Sequence, residues 1–164
     1  MRVRLLLALM ALLFSGCFPA HTSLTVGLRF GSELIPVITR FEPDRGQAAS
    51  YRVGDSVSFI ITLNRPGYVV LVGIDPDGVT YEFDRVYLSS GTHRLSGPPG
   101  FRYEVRPPLG LQRVRAIYTD TPHPSGFVFR GRYSLELWDQ QTSIYIQRSG
   151  SRVRDVAETY FYIY

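Results

Sequence analysis

The feature that most constrains the fold is an alternation between residues 56 and 64, in which Val57, Phe59, Ile61 and Leu63 are apolar while Ser56, Ser58, Thr62 and Asn64 are polar. Only Ile60 breaks it. Successive side chains of a strand point to opposite faces, so a period of two marks a strand with one face buried. Asn64-Arg65-Pro66-Gly67 then carries turn chemistry, Pro fixing φ and Gly supplying φ > 0. Tyr68 to Ile74 is a nearly continuous apolar run, the pattern of a central strand. Asp75-Pro76-Asp77-Gly78 closes a second turn, after which Val79, Tyr81 and Phe83 alternate with Thr80, Glu82 and Asp84. Three strands in meander order result.

The flanks extend this pattern. Ile35 to Phe41 reads as a first strand, placed at an edge because Pro36 cannot donate to a ladder. Beyond a Gly/Pro-rich loop at 96–100, Phe101, Tyr103 and Val105 alternate against Arg102, Glu104 and Arg106, and Val114, Ala116 and Tyr118 alternate against Arg113, Arg115 and Ile117. These read as a further hairpin. From Ser134 to Gln147 the period changes, with Leu137, Gln141 and Ile144, and Leu135, Trp138 and Tyr145, at helical spacing and Ser134 as a capping residue. Ser149-Gly150-Ser151 ends that helix, and Thr159 to Tyr164 reads as a last strand. The expected fold is mainly β: an antiparallel β-sandwich, immunoglobulin-like or jelly-roll-like, with one short helix near the C-terminus.

The N-terminus has a different character. Arg2 and Arg4 precede an apolar run from Leu5 to Phe14, followed by Ser15, Gly16 and Cys17, the order of a basic region, an apolar region and a small-residue cleavage site. A membrane span needs about 20 apolar residues, and this run is shorter. Phe14-Ser15-Gly16-Cys17 resembles the bacterial lipobox, with Phe14 at the position where Leu is usual. That resemblance implies cleavage before Cys17, a diacylglycerol thioether on its sulfur, and an exported protein held on a membrane. Phe18 stands where the Asp of inner-membrane retention would be, which favours an outer membrane where the cell has one. Cys17 is the sole cysteine, so no intramolecular disulfide can form. The expected organisation is a signal peptide over 1–16, a lipid-anchored tether over 17–34 spanning about 23 Å as a coil, and one domain over 35–164.

Charge narrows the partners. The chain has 18 basic residues, all Arg, against 14 acidic ones; without Arg2 and Arg4 of the expected leader, 16 Arg stand against 14 acids. Such scattered, near-balanced charge lacks the basic stripe of nucleic-acid binders.

Tyr51-Arg52-Val53-Gly54-Asp55, Pro66-Gly67-Tyr68 and Asp75-Pro76-Asp77-Gly78, continuing through Pro107, Gly110 and Arg113-Val114-Arg115-Ala116, resemble the "domain of unknown function 4384" family over residues 51–118. The resemblance implies an exported or envelope-associated β-sandwich with no catalytic residues to carry over, and leaves 119–164 as a C-terminal extension.

Chemistry-bearing residues are sparse. Asp75 and Asp77 invite a calcium reading, but Gly78 falls too early for an EF-hand loop, and turn geometry explains the motif. His21, His93 and His123 lack metal-ligand spacing, and no nucleophile elbow or zincin motif occurs. No catalytic residue, metal or cofactor is assigned. The 11 Tyr, 10 Phe and Trp138 supply core or a stacking groove. Tyr133, Trp138, Tyr145, Tyr160 and Tyr162 are the groove candidates, and Arg102, Arg106, Arg113 and Arg115 are read as one outward face for a carboxylate-bearing partner such as peptidoglycan peptide or an envelope protein. The expectation is a non-enzymatic interaction or structural module; a glycan- or peptidoglycan-binding module and an envelope hydrolase are the alternatives.

Overall fold

A computed structural model describes residues 30–164. The expected leader, Cys17, His21 and residues 17–29 of the expected tether lie outside the described residues. Eleven strands and one helix follow: β1 (Ile38–Pro43), β2 (Ser50–Tyr51), β3 (Ser56–Val57), β4 (Phe59–Leu63), β5 (Gly67–Ile74), β6 (Val79–Leu88), β7 (Gly91–Leu95), β8 (Tyr103–Glu104), β9 (Gly110–Thr119), β10 (Arg130–Arg132), α1 (Leu135–Ser149) and β11 (Arg154–Ile163). Among the described residues no helix is long and apolar enough to cross a membrane.

The main sheet has six strands in the order β10-β6-β5-β9-β11-β2 and a second sheet has three, β1-β4-β7; β3 and β8 form a separate pair. Every pair is antiparallel except β11 with β2. One face of the main sheet, with Val69, Leu71, Val114, Ala116 and Phe161, packs on Phe59, Ile61 and Leu63 of β4. Its other face, with Val70, Val72, Ile74 and Ile117, packs on Trp138, Tyr145 and Ile146 of α1, with Phe30, Phe127 and Phe129 filling the margin. The fold is therefore mainly β, two sheets face to face with a helix on the outer side of the larger. A strand covered on both faces has no polar side to show, which explains the unbroken apolar run of β5.

Ser134 caps α1 as expected, its hydroxyl oxygen accepting from the Leu137 N–H at 3.2 Å, and Gly150 closes the helix at φ 64°. Trp138, Thr142, Tyr145 and Ile146 form its buried stripe. The helix runs two residues past Gln147, to Ser149.

Several expected elements differ. The strand read over 101–105 is reduced to the two residues of β8, which pairs with β3 and not with β9. Loop geometry around Gly97 and Gly100, both at positive φ, and Pro107-Pro108, which lack N–H donors, leave little room for a ladder. The first strand begins at Ile38, beyond Pro36, because the Asp155 carboxylate takes the Val37 and Ile38 N–H groups at 2.7 and 2.8 Å. β2, β7 and β10 have no counterpart among the expected strands; β11 begins at Arg154, five residues before the strand expected there. Residues 30–34, read as tether, lie on the domain: Phe30 is 1% exposed and Leu34 packs on the helix-side core.

Arg115 of β9 points to the helix side and is 0% exposed. Its guanidinium donates to Glu158 and Asp139 at 2.7 Å each, to the Thr142 hydroxyl at 2.6 Å and to the Trp138 carbonyl at 3.3 Å, and it stacks 3.8 Å from the centre of the Trp138 ring. An unpaired cation in this position would be costly, so β9, β11 and α1 must assemble together around it. Truncating Arg115→Ala removes the guanidinium that Asp139 and Glu158 share and opens a cavity. The expected loss is about 3–5 kcal/mol, read as a fall in the urea midpoint at unchanged slope.

Candidate functional site

The second sheet covers only part of the main sheet. At the end it leaves open, a groove of about 610 Å³ runs between the β5–β6 turn and the loop of residues 96–109. Its geometry begins with a bulge: β6 places both Phe83 and Asp84 against Leu71, where one residue would ordinarily sit. The bulge brings Asp84 to the same side as Phe83, where the Tyr103 hydroxyl donates to it. Phe83 meets Tyr103 edge-on at 5.1 Å and Phe59 at 5.8 Å, so three rings from three elements brace the wall. Burial, then the Asp84 contact, pushes the Tyr103 phenol far above its ordinary value, so it stays a donor.

The loop is tied on both sides. Val105 N–H donates to the Asp55 carbonyl and Gly54 N–H to the Val105 carbonyl, each at 2.8 Å. Gly97 sits at φ 111°, where a Cβ would come 3.1 Å from the Phe101 carbonyl oxygen, so glycine permits the fold-back that leaves Phe101 at the mouth. Phe101 is 77% exposed, the most of any large apolar side chain among the described residues. Arg102 and Arg106 line the same groove.

The four arginines do not share a face, which corrects the sequence reading. Arg102 and Arg106 belong to the groove loop; Arg113 and Arg115, two apart on β9, point to the helix side of the main sheet. Arg115 is buried, as described, and Arg113 lines a smaller hollow of about 360 Å³ with Tyr133, Leu111 and Leu135. Trp138 and Tyr145, read as groove candidates, are core. Tyr133 is half-buried, its hydroxyl donating to the Arg130 carbonyl at 3.2 Å. Tyr160 and Tyr162 form an edge-on pair at 6.1 Å on β11, Tyr162 being exposed. Sequence reasoning missed Phe101, Tyr81 and Phe83 as groove residues. The alternation of Tyr81 and Phe83 was visible, but it marks a side, not whether that side is filled.

The Asp75–Gly78 motif serves the turn. Asp75 Oδ1 accepts from the Asp77 and Val79 N–H groups at 2.9 Å each. Gly78 stands at φ 81°, where a Cβ would lie 2.6 Å from the Tyr133 carbonyl oxygen. Among the described residues no group of three or more His, Cys, Asp or Glu could hold a metal ion.

The histidines occupy separate settings. His93 is paired through Nε2 with the Ser89 carbonyl at 2.8 Å. His123 shares a hydrogen bond through Nδ1 with the Tyr145 hydroxyl and meets the Tyr68 ring edge-on at 5.7 Å; its buried Nε2 has no partner among the described residues. Burial, then the Arg85 charge, lowers its pKa below the ordinary 6.5.

Set beside known proteins, this two-sheet β-domain with a helix backing matches one family profile: a domain of unknown function (DUF4384) matches residues 50–122. That span runs from β2 past the end of β9 and holds most of the groove. No curated protein matches the chain.

A histidine whose pKa is lower folded than unfolded binds its proton later than the unfolded chain does. Its linked destabilisation therefore begins as pH falls through 6.5 and is complete below the folded pKa. His123→Phe should remove that component, so the stability difference between about pH 8 and pH 5 shrinks relative to wild type. Urea midpoints at the two pH values measure it; an unchanged difference refutes the assignment.

Proposed function

We propose that the chain is a lipid-anchored cell-envelope protein, held by Cys17, that acts as a non-enzymatic interaction module through the end groove. The observation that carries the binding surface is the exposed Phe101 beside Arg102 at the mouth of a groove of about 610 Å³. A size between about 300 and 1,000 Å³ and an apolar floor under a polar rim fit a site for a small ligand or an anchor side chain. The anchor rests on the order of Arg2, Arg4, the run to Phe14 and the lipobox-like Ser15-Gly16-Cys17. Phe30, which is seated on the domain, lies thirteen residue steps from Cys17, a reach of at most about 45 Å, so the partner belongs near the membrane surface. The outer membrane is the proposed address where the cell has one.

The glycan or peptidoglycan alternative retains Tyr133 and Arg113 at the smaller hollow, with Tyr160 and Tyr162 on the same side of the sheet, but loses Trp138 and Tyr145 to the core. Co-sedimentation with purified sacculi that is abolished by Tyr162→Ser and retained in Phe101→Ser would favour it over the groove.

Two measurements test the main reading. Wild-type protein should fractionate with membranes and Cys17→Ser should move to the soluble fraction; membrane retention of the variant refutes the anchor. A photo-crosslinking residue at position 101 should trap envelope components several-fold more than one at the exposed Tyr87, and equal yields at the two positions refute the groove as the surface.

A further inference from the structure

We propose that the groove holds a free long-chain fatty acid, its hydrocarbon chain lying along the groove floor and its carboxylate at Arg102. The inference rests on the groove being the binding surface and adds the chemistry of its occupant.

The floor is carbon. Val57, Phe59, Val114, Phe161 and Ile163 are core residues of the sandwich, yet all five also line the groove, so its floor is the edge of that core. Hydrogen-bonding groups stand at the rim, on Asp75, Arg102, Glu104 and Arg106, and are scarce at this floor. Pro107 and Pro108 have no N–H, and the buried Gln112 already donates its amide to the Pro108 carbonyl at 3.1 Å. A peptide or sugar entering this space would bury amide or hydroxyl groups against carbon with few partners, whereas a methylene chain has nothing to satisfy.

The charges at the rim identify the head group. Asp75 is engaged by its own turn, and Glu104 lies 3.9 Å from Arg106. Among the described residues Arg102 has no carboxylate within 4.0 Å, so its guanidinium, next to the exposed Phe101, can take the carboxylate of a ligand. A guanidinium pairs bidentately with a carboxylate, and an aromatic ring beside it shields the first methylenes from water. A guanidinium at the mouth and a carbon floor below it fit one chain with one acidic end.

The test uses the full-length chain in membranes of the expressing cell, exposed to a diazirine-bearing palmitate and irradiated, with adducts mapped by mass spectrometry. Adducts should fall on the segments around Phe101–Pro108 and Phe161–Tyr164. Unlabelled laurate, myristate and palmitate should compete with about fourfold gain per methylene, levelling off once the chain fills the cavity. Methyl palmitate should fail to compete, and Arg102→Gln should lower labelling about tenfold, while Arg130→Gln, outside the groove, should leave it unchanged. Scattered adducts, competition that rises with chain length without levelling, or indifference to Arg102→Gln overturns the proposal. Equal labelling by a two-chain photoreactive phosphatidylglycerol also overturns it, in favour of a bilayer lipid. If palmitate fails while the crosslinker at position 101 still traps an envelope component, the ligand is refuted and the binding surface stands; if both fail, so does the surface.

Discussion

The structure depends on a main sheet buried on both faces with one guanidinium enclosed in it. Were Arg115 replaced in thought by an aliphatic residue, the helix could slide over β5 and β9 with little change in apolar contact, because burial is non-directional. The guanidinium removes that freedom. It needs Asp139 and Thr142 from α1 and Glu158 from β11 at once, and Trp138 over its face. Helix position, β11 register and the seating of Phe30, whose ring lies 5.1 Å from the guanidinium carbon, are thereby coupled through one side chain. Replacing the whole network with apolar residues could preserve stability, so its contribution is positional specificity more than net free energy.

That coupling leaves the opposite face to carry the groove. The bulge in β6 and the glycine at 97 act on the other side of the main sheet, where α1 does not reach. The Tyr103–Asp84 contact joins the loop to the bulge, and the Val105 and Gly54 hydrogen bonds join it to the approach to β3. The groove is thus open by construction: its walls are held by ring contacts and hydrogen bonds, and the space between them is left unfilled.

What the sequence disclosed follows the reach of local rules. β4, β5, the turn at Asp75–Gly78 and the capped helix were legible because alternation, turn chemistry and the Ser134 cap are properties of adjacent residues. Arg115 was misread because a period of two separates two sides of a strand without telling which meets water; on a sheet covered twice, neither does. Trp138 and Tyr145 were ambiguous for the same reason, an aromatic stripe on a helix serving a core or a groove alike. The pairing of β8 with β3 joins residues almost fifty positions apart, and nothing near Tyr103 announces it. Phe101 carried no local mark, since its exposure is decided by a loop that folds back at Gly97.

The family match sharpens how the domain should be divided. Residues 50–122 hold β2 to β9, yet within that span β9 would present a ten-residue edge of unpaired backbone N–H and C=O groups. β11 closes that edge, pairing with β9 from Arg154 to Ile163, and its Phe161 and Ile163 complete the groove floor. The segment after 122 is therefore part of the same folding unit and not an appendage, because an open apolar edge of that length is an aggregation site. The groove then belongs jointly to the matched segment, which supplies its mouth and walls, and to β11, which supplies part of its depth. Variation in β11 could alter what length of ligand fits while the Arg102 mouth stays as it is.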